Sequence, residues 1–295
     1  MSHFKRSITK LLRPEMAVSA TEYAYRMLSL EKDCMGINRK AYLDKEVILS
    51  LTTYNKRIFD VALTIESLFQ QTIKANRIIL WLAEDEFMGR DLPVKLTKLI
   101  DRGLEIRYCE DLKSYKKLIP TLALFPEALI VTVDDDIIYP DDFLENLINA
   151  HKENPSYILC YRARQFSFNW MGKLRPYMKW KIASHKQAAA LSILPNGIGG
   201  ILYYPGCFDK QVSRKDLFMK LAPKGDDLWF KAMTLLKGVK CKVVPIERPF
   251  FEKFVVIQSG QDIALYHNNI SSRENIQQLK QVFAYLKLDL KELKA

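Results

Sequence analysis

EVILSLTTYNKRIFDVALTIESLFQQTIKANRIILWLA, residues 46–83, holds the reading that decides the fold. Glu46–Thr53 is a short apolar run rich in residues that suit a strand. In Phe59–Gln71, Val61, Ile65, Leu68 and Phe69 recur at helical spacing along one side. Arg77–Leu82 then returns to an apolar run. A strand, an amphipathic helix and a second strand in that order predict two parallel strands joined by a crossover. The pattern continues with a helix over Asp91–Asp101, a strand over Leu104–Cys109, a helix over Tyr115–Leu124 and a strand over Ala128–Val133. Strands this continuously apolar are expected to be buried on both faces. The expected fold class is α/β, a mostly parallel sheet flanked by helices, in one compact unit.

Further along, the pattern loosens. It predicts helices over Pro140–Lys152 and Asp226–Lys237, and strands over Tyr157–Cys160 and Lys240–Val244, with a Gly-rich apolar run at Asn196–Tyr204. The chain closes on a helix announced by Ser271 and Glu274 at capping-box spacing. Its stripe, Ile276, Leu279, Phe283, Leu286, Leu290 and Leu293, is expected to pack on the body. The organisation is therefore a basic helical extension (1–45), a body (46–270) and a C-terminal amphipathic helix (271–295).

With 295 residues, 48% apolar, only 11 Gly and 12 Pro, the chain falls outside the disordered and collagenous classes. No apolar run reaches membrane-span length, since Leu118–Val133 is broken by Pro120, Pro126 and Glu127. Met1–Arg13 develops no apolar signal-peptide core. The five cysteines have neither metal-ligand nor redox spacing and are expected as reduced thiols in a cytoplasmic protein. The net charge of +11 is uneven. Residues 161–186 carry seven cations, six aromatics and no Asp or Glu. Arg162, Arg164, Trp170 and Trp180 belong to this stretch, which suits an anionic partner with flat or apolar surface. A solvated basic loop with its aromatics turned inward accounts for it equally well. Phe4, Ile8, Leu11 and Leu12, among Lys5, Arg6, Lys10 and Arg13, suit either an anionic membrane surface or a frayed basic terminus.

In open α/β sheets ligands sit beyond the carboxyl ends of the strands. Those ends carry Thr52, Thr53, Tyr54, Asn55, Lys56 and Arg57; Glu84, Asp85 and Glu86; Asp111, Lys113, Tyr115, Lys116 and Lys117; and Asp134, Asp135 and Asp136. Three adjacent carboxylates repel one another unless a cation neutralises them. Mg²⁺ or Mn²⁺ prefers such oxygens and leaves coordination positions for phosphate. Alternation along an extended segment lets Asp134 and Asp136 share one ion. Helix capping describes Asp141 and Asp142 better than it does the triple. The residues alone leave other classes open. A haloacid-dehalogenase-like phosphatase also places two aspartates after an apolar strand, though early in its domain. A nucleotidyltransferase would want a Gly-rich phosphate loop where TTYNKR stands. A non-catalytic nucleotide-, glycan- or nucleic-acid-binding module explains the basic stretch but not the aspartates.

Five strings, in order, resemble GT-A-fold glycosyltransferases. IVTVDDDIIYP (130–140) is similar to their DXD motif, and VILSLTTYNKR (47–57) to their first strand and nucleotide turn. EDLKSYKKL (110–118) resembles the nucleotide-contacting segment, GIGGILYYPG (197–206) the acceptor-side glycine loop, and PKGDDLWFKAM (223–233) the acidic catalytic-base motif. The likeness is nearest to bacterial family-2-like enzymes of surface polysaccharide and lipopolysaccharide synthesis. It implies transfer of a sugar, with inversion, from a nucleotide-diphosphate donor, expected to be a UDP-sugar, to a glycan or lipid-linked glycan hydroxyl. Nucleic acid is not an expected partner. The place of action implied is the cytoplasm or the inner face of the membrane.

The implied roles follow the motifs. Asp134 and Asp136 would hold Mn²⁺ or Mg²⁺, with His267 returning to the metal or the diphosphate, and Asp135 would bond ribose or sugar hydroxyls. Thr52 and Thr53 would line the nucleotide turn, and Tyr54 would stack on the base. Glu84 or Asp85 would accept a uracil N–H, and Lys117 and Arg57 would meet phosphate or base. Asp227 would be the base that deprotonates the acceptor, with Asp226 as its neighbour or the helix cap; the family usually has Glu where Asp226 stands. Gly199, Gly200, Trp170 and Trp180 would face the acceptor.

Overall fold

The computed structural model describes residues 35–40, 43–259, 261–263, 274–289 and 293. Four strands form in the expected order: β1 (Val47–Thr52), β2 (Arg77–Ala83), β3 (Leu104–Cys109) and β4 (Leu129–Thr132). Helix α1 (Val61–Phe69) makes the first crossover and α2 (Ile119–Leu124) precedes β4. Strands β1, β2 and β3 pair in parallel, and β4 pairs in parallel with the other side of β1. Alternation divides the strand side chains between two cores. Ile48, Ile79, Trp81 and Ile130 pack on one face; Leu49, Ile78, Leu80 and Val131 pack on the other. That two-sided burial is why the strands read as unbroken apolar runs.

The outer strand β3 is protected by charge. Arg77 Nη1 lies 2.7 Å and Arg107 Nη2 2.6 Å from Glu105, and both arginines stack over Phe125. The other half of the sheet has shorter pieces: β6 (Ile158–Cys160), β10 (Ile201–Tyr203) and β11 (Cys241–Val243). The seven-stranded order is β11-β6-β10-β4-β1-β2-β3, with β10 antiparallel to both neighbours. Two small antiparallel sheets flank it: β5 (Ile137–Ile138) with β12 (Val255–Val256), and β8 (Lys181–Ile182), β7 (Ala163–Gln165) and β9 (Ile193–Pro195). The longer helices among the other described residues are α3 (Phe143–Glu153), α4 (Lys215–Leu221), α5 (Asp226–Leu236) and α6 (Glu274–Leu286).

Several expected elements are shorter. The helix expected over 91–101 is one α-turn, Val94–Thr97, entered from Pro93 and followed by turns; it buries little beyond Leu96 and Leu99. The helix over 115–124 is a 3-10 turn, Lys113–Lys117, followed by α2, with Pro120 in the first helical turn. Asp142 stands at the N-cap of α3, yet its carboxylate pairs with Lys253 Nζ at 2.7 Å instead of capping. The C-terminal stripe packs as expected where it is described: Leu279, Phe283 and Leu293 are buried. Ser271, Leu290, His267 and the basic segment over 4–13 lie outside the described residues. Cys160 and Cys241, remote in sequence, face each other on β6 and β11 with their sulfurs 3.7 Å apart, a pairing that spacing did not indicate.

Candidate active site

The β1–β4 register builds the centre of the site. Ser50 stands opposite Thr132, so Thr53 comes level with Asp135 just past the strand ends. Thr53 Oγ1 accordingly donates to Asp135 Oδ2 at 2.6 Å. After β1 the chain tightens into a 3-10 turn, Asn55–Phe59, with Asn55 at φ 52°, a left-handed conformation that Asn tolerates. The turn lifts Arg57 across the strand ends. Its guanidinium reaches Asp135 Oδ1 at 2.7 Å and Asp136 Oδ2 at 2.9 Å. Gln261 Nε2 also donates to Asp136 Oδ2, at 2.8 Å. Arg57 is thus a built-in counter-ion to two of the three aspartates, and the repulsion argument for a metal loses its uniqueness. Burial, then Asp136, raise Asp135 to about 6 against the opposing pull of Arg57 and Thr53.

Lys117 supplies the other cation. Its Nζ lies 3.2 Å from Asp134 Oδ1 and 3.1 Å from Asp226 Oδ2, tying the end of β4 to the start of α5. Burial alone would lower this amine; Asp134, Asp226 and Asp227 hold it well above its ordinary value. Gly225 occupies the N-cap of α5, so Asp226 is its first helical residue and not the cap. Asp227 is less buried than Asp226 and accepts the Gly197 N–H on Oδ2 at 3.0 Å. Burial and the adjacent Asp226 push the Asp227 carboxyl up to about 7.

These groups line one cleft of about 830 Å³ at the carboxyl ends of β1 and β4. Thr52, Thr53, Tyr54, Arg57, Lys117, Asp134, Asp135, Asp136, Asp226 and Asp227 all border it. Glu84 and Asp85 do not: the chain enters a helical turn at Glu84, which leaves both side chains exposed. Glu86 is the acid that faces the cleft, where it accepts the Asn55 N–H at 2.5 Å.

The glycine assignments shift as well. A Cβ on Gly197 would lie 2.8 Å from Lys117 Nζ and 3.2 Å from Asp134 Oδ1, so Gly197 is the glycine of this loop that packs against the site's charged groups. Gly199 and Gly200 stand outside the cleft lining. Gly200, at φ +76°, lets the chain pass Phe143, which a Cβ would meet at 2.6 Å. Trp180 is 3% exposed, with its indole N–H on the Arg175 carbonyl, and Trp170 is 91% exposed, away from the cleft. Arg162, Arg164, Tyr177 and Asn196 line the cleft, and the two tryptophans do not.

The residues present fit a hard divalent ion in part. Asp134 and Asp136 border the cleft, and Asp134 Oδ2 and Asp136 Oδ1 have no hydrogen-bond partner among the described residues. No group of three His, Cys, Asp or Glu poised around one point occurs among those residues. Two protein oxygens, with the rest of the shell left to phosphate and water, match the habits of Mg²⁺ better than a closed protein cage would.

No family model and no curated protein matches the chain. Among solved structures it is similar to a mannosyltransferase from Pyrobaculum calidifontis in complex with GDP-Man and Mn²⁺. That superposition has a TM-score of 0.45 and 13% identity, covering 93% of this chain and 81% of the other.

Proposed function

We propose that the chain is a glycosyltransferase that moves a sugar from a nucleotide-diphosphate donor to an acceptor hydroxyl. One observation carries this reading: Lys117 joins Asp134 and Asp226, so the triple aspartate and the Asp226–Asp227 pair border one cleft. A transferase needs that division. Charge on the leaving diphosphate must be met on one side, and the acceptor proton must be taken on the other.

Asp134 and Asp136 are the residues that would hold Mg²⁺ or Mn²⁺. When bound, the ion supplies positive charge that stabilises the departing diphosphate. Arg57 and Thr53 fix the orientation of Asp135 and Asp136. Tyr54 borders the cleft beside Arg57 and offers a flat face to the base. Asp227, held by the Gly197 N–H and shifted toward neutral pH, is suited to accept the acceptor's proton and favours an inverting course. The uracil preference loses its expected support with Glu84 and Asp85 outside the cleft, so donor screening must include GDP-sugars as well as UDP-sugars. A glycan or lipid-linked glycan acceptor, a bacterial polysaccharide or lipopolysaccharide setting, and action at the inner membrane face remain part of the proposal.

The test is nucleotide release from a panel of UDP- and GDP-sugars with Mn²⁺. At least one donor should turn over, chelation should stop it, and Asp136→Asn should abolish it. Asp227→Asn should lower kcat by about 10² or more while donor affinity holds. Since the base works only when deprotonated, kcat/KM should rise roughly tenfold per pH unit below about 7 and level off above it. Absence of release from every donor, or liberation of inorganic phosphate instead, would refute the transferase reading.

A further inference from the structure

The basic, aromatic stretch divides in the structure. Its inner rings form a packed base: Trp180 is buried with the rings of Phe166 at 4.7 Å and Tyr177 at 5.1 Å, and Phe166 meets Phe283 of α6 in turn. From that base the chain leaves the small sheet as a hairpin. Phe168 and Leu174 bridge in antiparallel, and the Arg175 N–H donates to the Ser167 carbonyl at 2.8 Å. The Asn169 N–H donates to the Lys173 carbonyl at 2.8 Å. Gly172, at φ 75°, closes the tip with its N–H on the Asn169 carbonyl at 2.9 Å. Trp170 and Met171 therefore occupy the two central positions of the turn.

Such positions usually go to Gly, Pro, Asn, Asp or Ser, which suit a solvated bend. Here they carry a nearly fully exposed indole and a methionine more than half exposed. Met178 and Ile182, on the return from the hairpin, are also more than half exposed. The cations of the same excursion, Lys173, Arg175, Lys179 and Lys181, are exposed, and none has a carboxylate partner among the described residues. No acidic residue stands between Glu153 and Asp209 in the chain. A convex apolar tip offers no groove to hold an extended polymer. It suits a soft surface that side chains can enter, negative at its outer layer. Indole rings favour the headgroup level of a bilayer, and each Lys or Arg near an anionic leaflet adds attraction.

We infer that the Trp170–Met171 tip and the cations of its hairpin form a docking surface for an anionic lipid bilayer. The tip enters the headgroup layer, and the lysines meet lipid phosphates. The same excursion supplies Tyr177 to the cleft, where its hydroxyl accepts from Asn196 Nδ2 at 2.8 Å. The next residue, Gly197, is the one whose N–H holds Asp227. Docking therefore anchors the wall of the cleft that carries the candidate base. The docking stands apart from the transferase reading; its consequence, an acceptor carried by a lipid of that bilayer, rests on it.

The four tryptophans make docking directly readable, since Trp81, Trp180 and Trp229 are buried and Trp170 alone faces water. The full chain is mixed with vesicles of phosphatidylcholine alone, or with about one-third phosphatidylglycerol, and binding is measured by flotation. Partition onto the anionic vesicles should be stronger by about tenfold or more. Tryptophan emission should shift to the blue and be quenched by lipids brominated near the headgroup. Trp170→Phe should keep the binding and lose the shift. Trp170→Ser combined with Met171→Ser should weaken partition about tenfold. Lys173→Gln, Lys179→Gln and Lys181→Gln together should bring it close to that on neutral vesicles, with the melting temperature unchanged. No partition, equal partition on both vesicles, binding that leaves the emission unchanged, or binding that survives both sets of variants overturns the proposal. So does binding of oligo(dT) in place of vesicles, which would make the patch a nucleic-acid surface. Nucleotide release from soluble donors is followed in parallel: its absence with vesicle binding intact counts against the transferase reading, while the docking is supported.

Discussion

One helical turn beyond Asp227 sits Lys231, 3% exposed, whose ammonium has no hydrogen-bond partner among the described residues. Asp227 Oδ1 is likewise buried without one. Both residues border a small void of about 10 Å³, the space of a single water. Burial lowers the Lys231 amine to about 8. Keeping it charged at pH 7 therefore costs about 3 kcal/mol relative to the unfolded chain. The unfolded chain binds this proton between about pH 8 and 10.5 where the folded chain does not, so wild-type stability rises with pH across that window. Lys231→Met should stabilise the fold by about 1–3 kcal/mol at pH 7 in urea titrations, with the gain shrinking by pH 10. Destabilisation at pH 7 would instead show that the ammonium holds Asp227 through the void. Of the residues singled out beyond β1 and β4, Thr52, Thr53, Tyr54, Arg57 and Asp134–Asp136 meet in the cleft, because in a parallel sheet chain position past a strand end translates into place, whereas Asn55 and Lys56 in the intervening turn do not line it. Glu84 and Asp85 fail that translation because the backbone turns helical at that point. Trp180 fails because composition cannot tell a ring beneath a cleft from one facing it.

Among the elements, the Asn55–Phe59 turn matters most to the site, since it places Arg57 between Asp135 and Asp136. Removing a buried cation from such a cluster leaves uncompensated carboxylates, at a cost of roughly 3–5 kcal/mol. Arg57→Met should lose about that much stability, while Arg57→Lys retains a part. If the turn and a divalent ion serve as alternative neutralisers, Mn²⁺ should raise the melting temperature of Arg57→Met more than that of the wild type. Equal shifts would mean that the ion does not meet these aspartates. The elements legible in sequence are β1 to β4, β6, β11, α1, α3, α5 and α6. The two-residue strands β5, β8 and β12 carry no period to read.

For the whole molecule, the cleft lies where the chain's direction of travel diverges. From β1 the sheet grows through β2 and β3 on one side, and β4 adds on the other. Ligand crevices open at such points because the crossovers leave in opposite directions. The second wall depends on β10, inserted antiparallel beside β4, so that the turn leading into it meets Asp134 at the end of β4. Parallel order was legible, but the antiparallel insertion was not, since the run over 196–204 pairs across distances that no local pattern encodes. The C-terminal helix completes this wall from behind. Helix α6 packs against α5 and α4 through Leu279, Val282 and Phe283. Gln278 Oε1 accepts the Lys224 N–H at 3.0 Å, and Lys224 Nζ lies 3.2 Å from Glu274, just before Asp226 and Asp227. The helix therefore seats the candidate base while the donor-side strands stand on their own packing. Phe283→Ala should cost about 3–5 kcal/mol of stability by opening a core cavity. Under conditions where it stays folded, kcat should fall while nucleotide affinity, measured by calorimetry with Mn²⁺, stays within twofold. A proportional loss of both would mean that α6 supports the entire cleft and not the base alone.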